Sequence, residues 1–368
     1  MKEPKANVAR AQPWAAWVDD EAARIRAAGR WRTVRTWDLD RLVSFASNDY
    51  LGLTGHPAVV AAAREAAMQW GTGAGASRLV VGSRPVHDEL EAALAAWKGA
   101  EAALLFPTGY AANVGVLTTF GGTGTRILSD ELNHASIVDG CRLSRADVAV
   151  YRHLDLDHLG ALLRAGTGRA VVVSDTVFSM DGDLAPVHEL VELCAIHDAL
   201  LVLDEAHAVL GPHLSLPPDA PVIRVGTLSK ALGAQGGFVV GPRPYVELLV
   251  NRARPAIFST APAPPVAAAA LAALHVVQSA EGDALLGRLR AHVERVTPGH
   301  PSPIVPVVLG EEAAAAAASQ ALLERGIVVP AIRPPTVPVG TSRLRVALSA
   351  AHTDEEVDRL VEALCVCC

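Results

Sequence analysis

The sequence predicts an α/β protein, with a mostly parallel sheet covered on both faces by helices and a small α+β domain at the C-terminal end. Two observations carry this expectation. Between Leu42 and Gly241, short runs that are apolar throughout alternate with helical stretches. Strands without polar alternation are buried on both faces, the condition of a parallel sheet between helix layers. Beyond about residue 280 the texture changes to an Ala-rich helix, short strands and Pro-rich connections. The expected boundaries are a helical segment over 1–46, a large domain over 47–279 and a small domain over 280–368.

The first element is a helix over about 14–28, where Trp14, Trp17, Val18, Ala22 and Ile25 share one face. Arg24, Arg26, Arg30, Arg32 and Arg35 lie on and around it, as a solvated basic face or as a clamp for an anionic substrate. In the large domain, helices are expected at Pro85–Lys98, Tyr110–Phe120 and Pro186–Asp198. Strands are expected at Ala170–Ser174, Leu200–Leu203, Val222–Val225 and Gly237–Val240. Further on, a helix over Glu311–Arg325 is closed by Gly326 as C-cap. Strands Ile327–Pro330 and Arg343–Leu348 flank the Pro-rich Arg333–Pro338, and Thr353 caps a last helix that runs to Cys365.

Composition narrows the function. Of 368 residues, 51% are apolar and 19% charged, with a net charge of -7, so there is material for a core and no general attraction to nucleic acid or an anionic membrane. The longest apolar stretch, Ala261–Val277, is interrupted by Pro262, Pro264, Pro265 and His275, which suits a domain helix rather than a membrane span. The N-terminus lacks the apolar region of a signal peptide. Five cysteines, with Cys141 and Cys194 far apart and Cys365, Cys367 and Cys368 crowded at the end, are no disulfide framework. A reduced, cytoplasmic setting is expected, and no metal site, because the terminal cysteines bring no partner His.

Ligands of open α/β sheets bind beyond the carboxyl ends of the strands. Polar residues stand there. Leu200–Leu203 delivers Asp204 to the end of a buried strand, and His207 follows within reach of the same site. An acid so placed is costly to desolvate unless it meets a cation or a donor. Lys230 follows the strand at Val222 among small and hydroxyl residues, Thr227-Leu228-Ser229-Lys230. A shielded lysine has a lowered pKa and can attack a carbonyl. Thr108 caps a helix that begins with Gly109 and Tyr110, a ready phosphate cradle. His134 and the polar turn Phe178–Asp183 add further groups. Aldehyde partner, ring-nitrogen anion and phosphate cradle together suit pyridoxal 5'-phosphate.

The motifs Ser47–Leu53, Thr108-Gly109-Tyr110, Asn133-His134-Ala135-Ser136, Phe178–Asp183, Asp204-Glu205-Ala206-His207 and Thr227–Lys230, in that order, resemble the α-oxoamine synthases. These are fold-type-I, aspartate-aminotransferase-like pyridoxal-phosphate enzymes. Within that family, Ala331–Pro338 followed by Gly340–Arg345 is similar to the members that join L-alanine to a pimeloyl thioester, on coenzyme A or a carrier protein, for biotin synthesis. The resemblance implies that Lys230 links to the cofactor aldehyde, Asp204 pairs with the ring nitrogen, and His134 stacks on the ring. It implies that His207 and Ser179 lie by the phenolic oxygen, and that Gly109, Tyr110 and Thr227 hold the phosphate. Arg345 with Asn48 is implied at the amino-acid carboxylate, and Arg32 and Thr336 at the acyl chain. Thr260 is implied at the partner's phosphate, in a homodimer with shared sites. The sequence departs from the family at Ala208 and at the short, glycine-poor Gly211–Pro218. A synthase that uses glycine or another thioester, or a pyridoxal-phosphate-binding regulatory subunit, are the alternatives.

Overall fold

A computed structural model describes residues 13–217 and 220–367, so the extreme N-terminus, Pro218 in the shortened segment and Cys368 lie outside the described residues. The chain divides into two units, one ending at Leu42 and one over Val43–Cys368. In the first, the helix Trp14–Ala27 buries no residue; Trp14 and Trp17 meet edge to face at 5.6 Å, and Arg26 lies 3.9 Å over the Trp31 ring. Arg32 follows in an extended, exposed stretch.

The strands are β1 (Val43–Ser44), β2 (Ala102–Phe106), β3 (Thr125–Asp130), β4 (Asp147–Tyr151), β5 (Arg169–Asp175), β6 (Leu200–Asp204), β7 (Val222–Thr227), β8 (Gly237–Gly241), β9 (Ile304–Gly310), β10 (Ile327–Val328), β11 (Ala331–Ile332) and β12 (Ser342–Ala347). Seven form one sheet in the order β2-β8-β7-β6-β5-β3-β4. Alternation along β5 and β6 sends Val171, Val173 and Val202 into one core cluster and Val172, Leu201 and Leu203 into another. Both faces are therefore dry, which is why the middles of these strands are apolar and their polar residues stand at the ends. Each such side chain contributes about 1.5–3 kcal/mol on burial.

One strand departs from the parallel expectation. β8 runs antiparallel to both β7 and β2. The connection 228–236 is shorter than the dozen or more residues that a parallel crossover needs, so the chain returns as an antiparallel neighbour. The other four pairings are parallel.

The C-terminal part holds an antiparallel sheet of order β11-β12-β9 and the parallel pair β1-β10, with Val43 opposite Ile327. Residues 43–46, expected in the N-terminal segment, thus pair with the C-terminal part; the Phe45 N–H donates to the Val328 carbonyl at 2.9 Å. The expected strand Ile327–Pro330 is shorter, β10 covering only Ile327–Val328, and β11 begins after Pro330, which has no N–H to extend a ladder. The helix Glu312–Glu324 is capped by Arg325, and Gly326, at φ 78°, is the left-handed residue one position further on. Thr353 and Glu356 cap the helix Asp354–Cys367 reciprocally, at 3.2 and 2.9 Å. Among the described residues no helix is long and apolar enough to cross a membrane. Cys141 and Cys194 are free and buried, and burial pushes their thiols up to about 11 and about 12, away from reactive thiolates.

Candidate active site

The carboxyl ends of β5, β6 and β7 open into a cavity of about 210 Å³ lined by Gly109, Tyr110, His134, Asp204, His207, Thr227 and Lys230, among others. Seven of the expected residues therefore share one space. Register puts Asp204 there: its Cα pairs with Asp175 on β5, and its backbone carbonyl accepts from the Thr176 N–H and hydroxyl, each at 2.9 Å. The Asp204 carboxylate is 6% exposed and satisfied on both oxygens, Oδ1 by the Ala206 N–H at 2.9 Å and Oδ2 by the Asn113 amide at 2.6 Å. Asn113 also donates to Ser136 Oγ at 2.9 Å, and that hydroxyl lies 2.7 Å from His134 Nδ1.

Lys230 stands in the turn after β7, which is anchored by buried Leu228. Its amine lies 2.8 Å from His207 Nε2. Burial lowers the lysine pKa, against the pull of Asp204 and Asp175, so the free amine is favoured relative to an exposed lysine. Burial, reinforced by the positive charges of Lys230 and Arg345, also holds His207 well below the ordinary imidazole value. The His134 pKa is lowered by desolvation, with Asp204 opposing.

At the other end of the cavity, Gly109 and Tyr110 begin the helix Gly109–Phe120, whose cap Thr108 accepts from the Ala111 N–H at 3.0 Å. The first N–H groups of a helix have no partner within it and receive anions. A Cβ on Gly237 would stand 2.5 Å from the Gly109 nitrogen, so β8 can pass the helix start only as glycine. The Thr227 and Ser229 hydroxyls, 2.7 Å apart, lie beside it. Tyr110 donates its hydroxyl to Asp139.

Other expected residues sit around this cavity. Asn48 Oδ1 accepts from Arg345 Nη2 at 3.2 Å and from the Tyr50 hydroxyl at 3.1 Å; Tyr50 in turn lies 2.6 Å from His207 Nδ1. Ser179 is absent from the lining of the first cavity; with Thr336 it lines an adjoining one of about 610 Å³, and His134 borders both. The Ser179 carbonyl accepts from Arg345 Nε at 2.5 Å. Thr260 is exposed and lines neither cavity. Arg32 belongs to the separate N-terminal unit.

Asn113, Ser136, Tyr50 and Asp175 hold the site together without having been assigned to it. Asp175 ends β5 as Asp204 ends β6, with Ser174 between it and the apolar run. Burial next to Asp204 raises its pKa well above the carboxylate range, and Oδ2 accepts the His134 N–H at 3.2 Å.

The donor set fits pyridoxal phosphate. An amine of lowered pKa faces the aldehyde's chemistry, a satisfied buried carboxylate suits a cationic ring nitrogen, and a helix start with two hydroxyls suits a phosphate.

Comparison with known proteins agrees. The family description "Aminotransferase class I and II" matches residues 40–364. The 8-amino-7-oxononanoate synthase of Anaeromyxobacter dehalogenans (strain 2CP-1) is 55% identical over 345 residues, 88% of this chain and 85% of that one. The synthase of the same name from Methylobacterium sp. (strain 4-46) is 50% identical over 331 residues, 88% of this chain and 86% of its own. A serine palmitoyltransferase from S. paucimobilis with bound PLP superposes with a TM-score of 0.88 at 29% identity, over 97% of this chain and 98% of that one. The 8-amino-7-oxononanoate synthase of Francisella tularensis shares the fold, with a TM-score of 0.73 at 24% identity over 89% and 97% of the two chains. Matched over most of its length in both sequence and fold, this chain belongs to the aminotransferase class I and II family.

Proposed function

We propose that this chain is a pyridoxal-phosphate-dependent acyltransferase of biotin biosynthesis. It condenses L-alanine with a pimeloyl thioester to give 8-amino-7-oxononanoate, carbon dioxide and free thiol. The observation that carries this reading is the polar chain Lys230–His207–Tyr50–Asn48–Arg345, which joins the amine in the cofactor cavity to a buried guanidinium. When bound, the cofactor supplies an aldehyde that links to an amine and a protonated ring that accepts the electron pair left at the amino acid's Cα.

The chain's residues do the rest. Gly109, Tyr110 and Thr227 hold the phosphate at the helix start. Asp204 keeps the ring nitrogen protonated; an opposing carboxylate typically shifts such a pKa by about 1–3 units, or roughly 1–4 kcal/mol. His134 and His207 line the cavity that would hold the cofactor, where His134 would cover the ring and His207 would serve the phenolic oxygen, with Ser179 in the adjoining cavity. Arg345, oriented by Asn48, takes the alanine carboxylate through charge-assisted hydrogen bonds. Lys230, whose pKa is lowered, would be the base that takes the Cα proton and later returns it. His134, bordering both cavities, donates to the oxygen that gains charge on the thioester carbonyl. Thr336 in the adjoining cavity serves the acyl chain.

A homodimer with shared sites in the cytoplasm belongs to the same proposal. Thr260 is exposed beside Phe258, 69% exposed, which suits a residue that reaches a partner's phosphate.

The test is carbon dioxide release from alanine with pimeloyl-CoA or pimeloyl-carrier protein, with glycine in a parallel arm. Release with alanine and 8-amino-7-oxononanoate as product supports the reading. Release only with glycine reassigns the amino acid, and no release with either thioester while cofactor is bound overturns it.

A further inference from the structure

His153 begins the turn after β4 and is used by none of the chemistry above. Its imidazole joins two carboxylates, with Nδ1 2.9 Å from Asp130 Oδ1 and Nε2 2.7 Å from Asp183 Oδ2. An imidazole can donate to two carboxylates at once only as the cation. Its backbone N–H donates to Glu131 Oε1 at 2.9 Å, and its ring meets Phe178 edge on at 4.4 Å. Burial disfavours the charged imidazole, but the hydrogen bonds to Asp130 and Asp183 outweigh it and hold the pKa up at about 10.

The two carboxylates belong to different parts of the site. Asp130 ends β3, fixed in the sheet. Asp183 closes the turn Phe178–Asp183, where the Phe178 N–H donates to the Asp183 carbonyl at 3.0 Å and the Gly182 N–H to the Phe178 carbonyl at 2.8 Å. Asp183 Oδ1 is buried with no hydrogen-bond partner among the described residues, so His153 is the group that compensates this acid. The far side of the same turn faces β12. There the Ser179 carbonyl accepts from Arg345 Nε at 2.5 Å, and Asp181 pairs with Arg343. Both arginines are 5% exposed, so their orientation is set by these contacts rather than by solvent.

We propose that His153 is a positioning residue for the amino-acid substrate. Its cation clamps the turn Phe178–Asp183 to the end of β3, and through the Ser179 carbonyl the turn fixes the rotation of the Arg345 guanidinium. The inference rests on the proposed function only in that Arg345 grips the alanine carboxylate. The clamp itself is geometry.

The test pairs kinetics with hydrogen–deuterium exchange on the full-length holoenzyme. In His153→Gln, which loses the charge and one of the two bonds, exchange in peptides covering 177–184 accelerates while peptides covering β6 and β7 keep their protection. The KM for alanine rises by about tenfold, within the roughly hundredfold that a misplaced binding group can cost, while kcat at saturating alanine and the KM for pimeloyl-CoA change less than about twofold. Asp183→Asn, which leaves the His153–Asp130 pair intact, gives the same pattern and serves where the first variant does not fold. His153→Gln with unchanged exchange at 177–184 overturns the clamp. Faster exchange with an unchanged alanine KM, or equal losses for both substrates, overturns the positioning role. Wild-type protein that binds cofactor but joins alanine to neither pimeloyl-CoA nor pimeloyl-carrier protein overturns the proposed function, and the exchange comparison still decides the clamp.

Discussion

The floor of the site and its substrate grip are built in different ways. Asp175, Asp204, Thr227 and Lys230 stand on neighbouring strand ends or the turn that follows, and ladder register places them. Arg345, Asn48, Tyr50 and Ser179 meet across long stretches of chain, Arg345 lying 297 positions from Asn48 and Tyr50 157 from His207. Arg345 stands on β12, but side-chain and carbonyl hydrogen bonds join it to Asn48 and Ser179, and Asn48 to Tyr50. A floor set by backbone register cannot adjust, so damage there is expected to abolish chemistry. A grip set by side chains can relax, so damage there is expected to shift affinity.

The sharpest break of this contrast is Lys230→Ala. Turnover is expected to fall by roughly 10⁴-fold or more, since one residue supplies both the covalent link and the base. The absorbance of the linked cofactor disappears with it. Full activity in that variant removes the floor from the argument. Next comes Asp204→Asn, which retains cofactor but slows exchange of the alanine Cα proton in deuterium oxide by about 10- to 1000-fold, the equivalent of 1–3 pKa units at the ring nitrogen. Unchanged exchange excludes that role for the acid. Arg345→Gln tests the grip. Loss of charge-assisted hydrogen bonds of about 1.5–3 kcal/mol raises the alanine KM roughly 10- to 100-fold and leaves the KM for pimeloyl-CoA within about threefold. A loss confined to kcat places Arg345 on the floor's side of the comparison.

The same contrast explains what could be read from residues alone. Asp204 was legible as an acid at the end of an apolar run and Lys230 as an amine among small and hydroxyl residues after a later strand; each alone was ambiguous, and their combination with a phosphate cradle pointed to a site. Asp175 stands one residue past its expected strand just as Asp204 does, but the polar Ser174 separates it from the apolar run Val171–Val173, so the charge does not stand directly on that run. Asn113 was illegible for another reason. Asn is a poor helix former, so its place inside the helix Gly109–Phe120 is a local conflict, but only the fold shows that Asp204 resolves it. The helix Pro85–Lys98 was legible to the residue, with Pro at its first position and Gly99 in the left-handed region after it. The reversal of β8 was hidden because apolar runs carry no direction. Gly182 shows what tertiary packing adds: at φ 72°, a Cβ there would meet the Ile304 carbonyl oxygen at 2.0 Å, a contact between the substrate turn and β9 that no local pattern encodes.

The smallest effect is expected where the two constructions touch, at Tyr50. Its hydroxyl lies 2.6 Å from His207 Nδ1 and 3.1 Å from Asn48 Oδ1, and burial pushes its pKa up to about 12, so it keeps its hydrogen at any working pH. The O–H donates to Asn48 Oδ1, so the Tyr50 oxygen is left to accept the hydrogen of His207 Nδ1. Nε2 of His207 then carries no hydrogen and accepts from the Lys230 amine at 2.8 Å. Tyr50 thereby selects the His207 tautomer that gives a protonated Lys230 an acceptor. In Tyr50→Phe that tautomer loses its support, and the protonated amine loses its partner, so the Lys230 pKa falls. Because the deprotonated amine is the active form, activity climbs as pH rises through that pKa, and the climb moves to lower pH in the variant. The expected displacement is about 0.5–1 unit in the pH profile of alanine Cα exchange, with the rate at neutral pH raised by roughly three- to tenfold. A profile that falls uniformly without moving assigns Tyr50 to the grip through Asn48. A profile that moves while the alanine KM stays fixed assigns it to the floor.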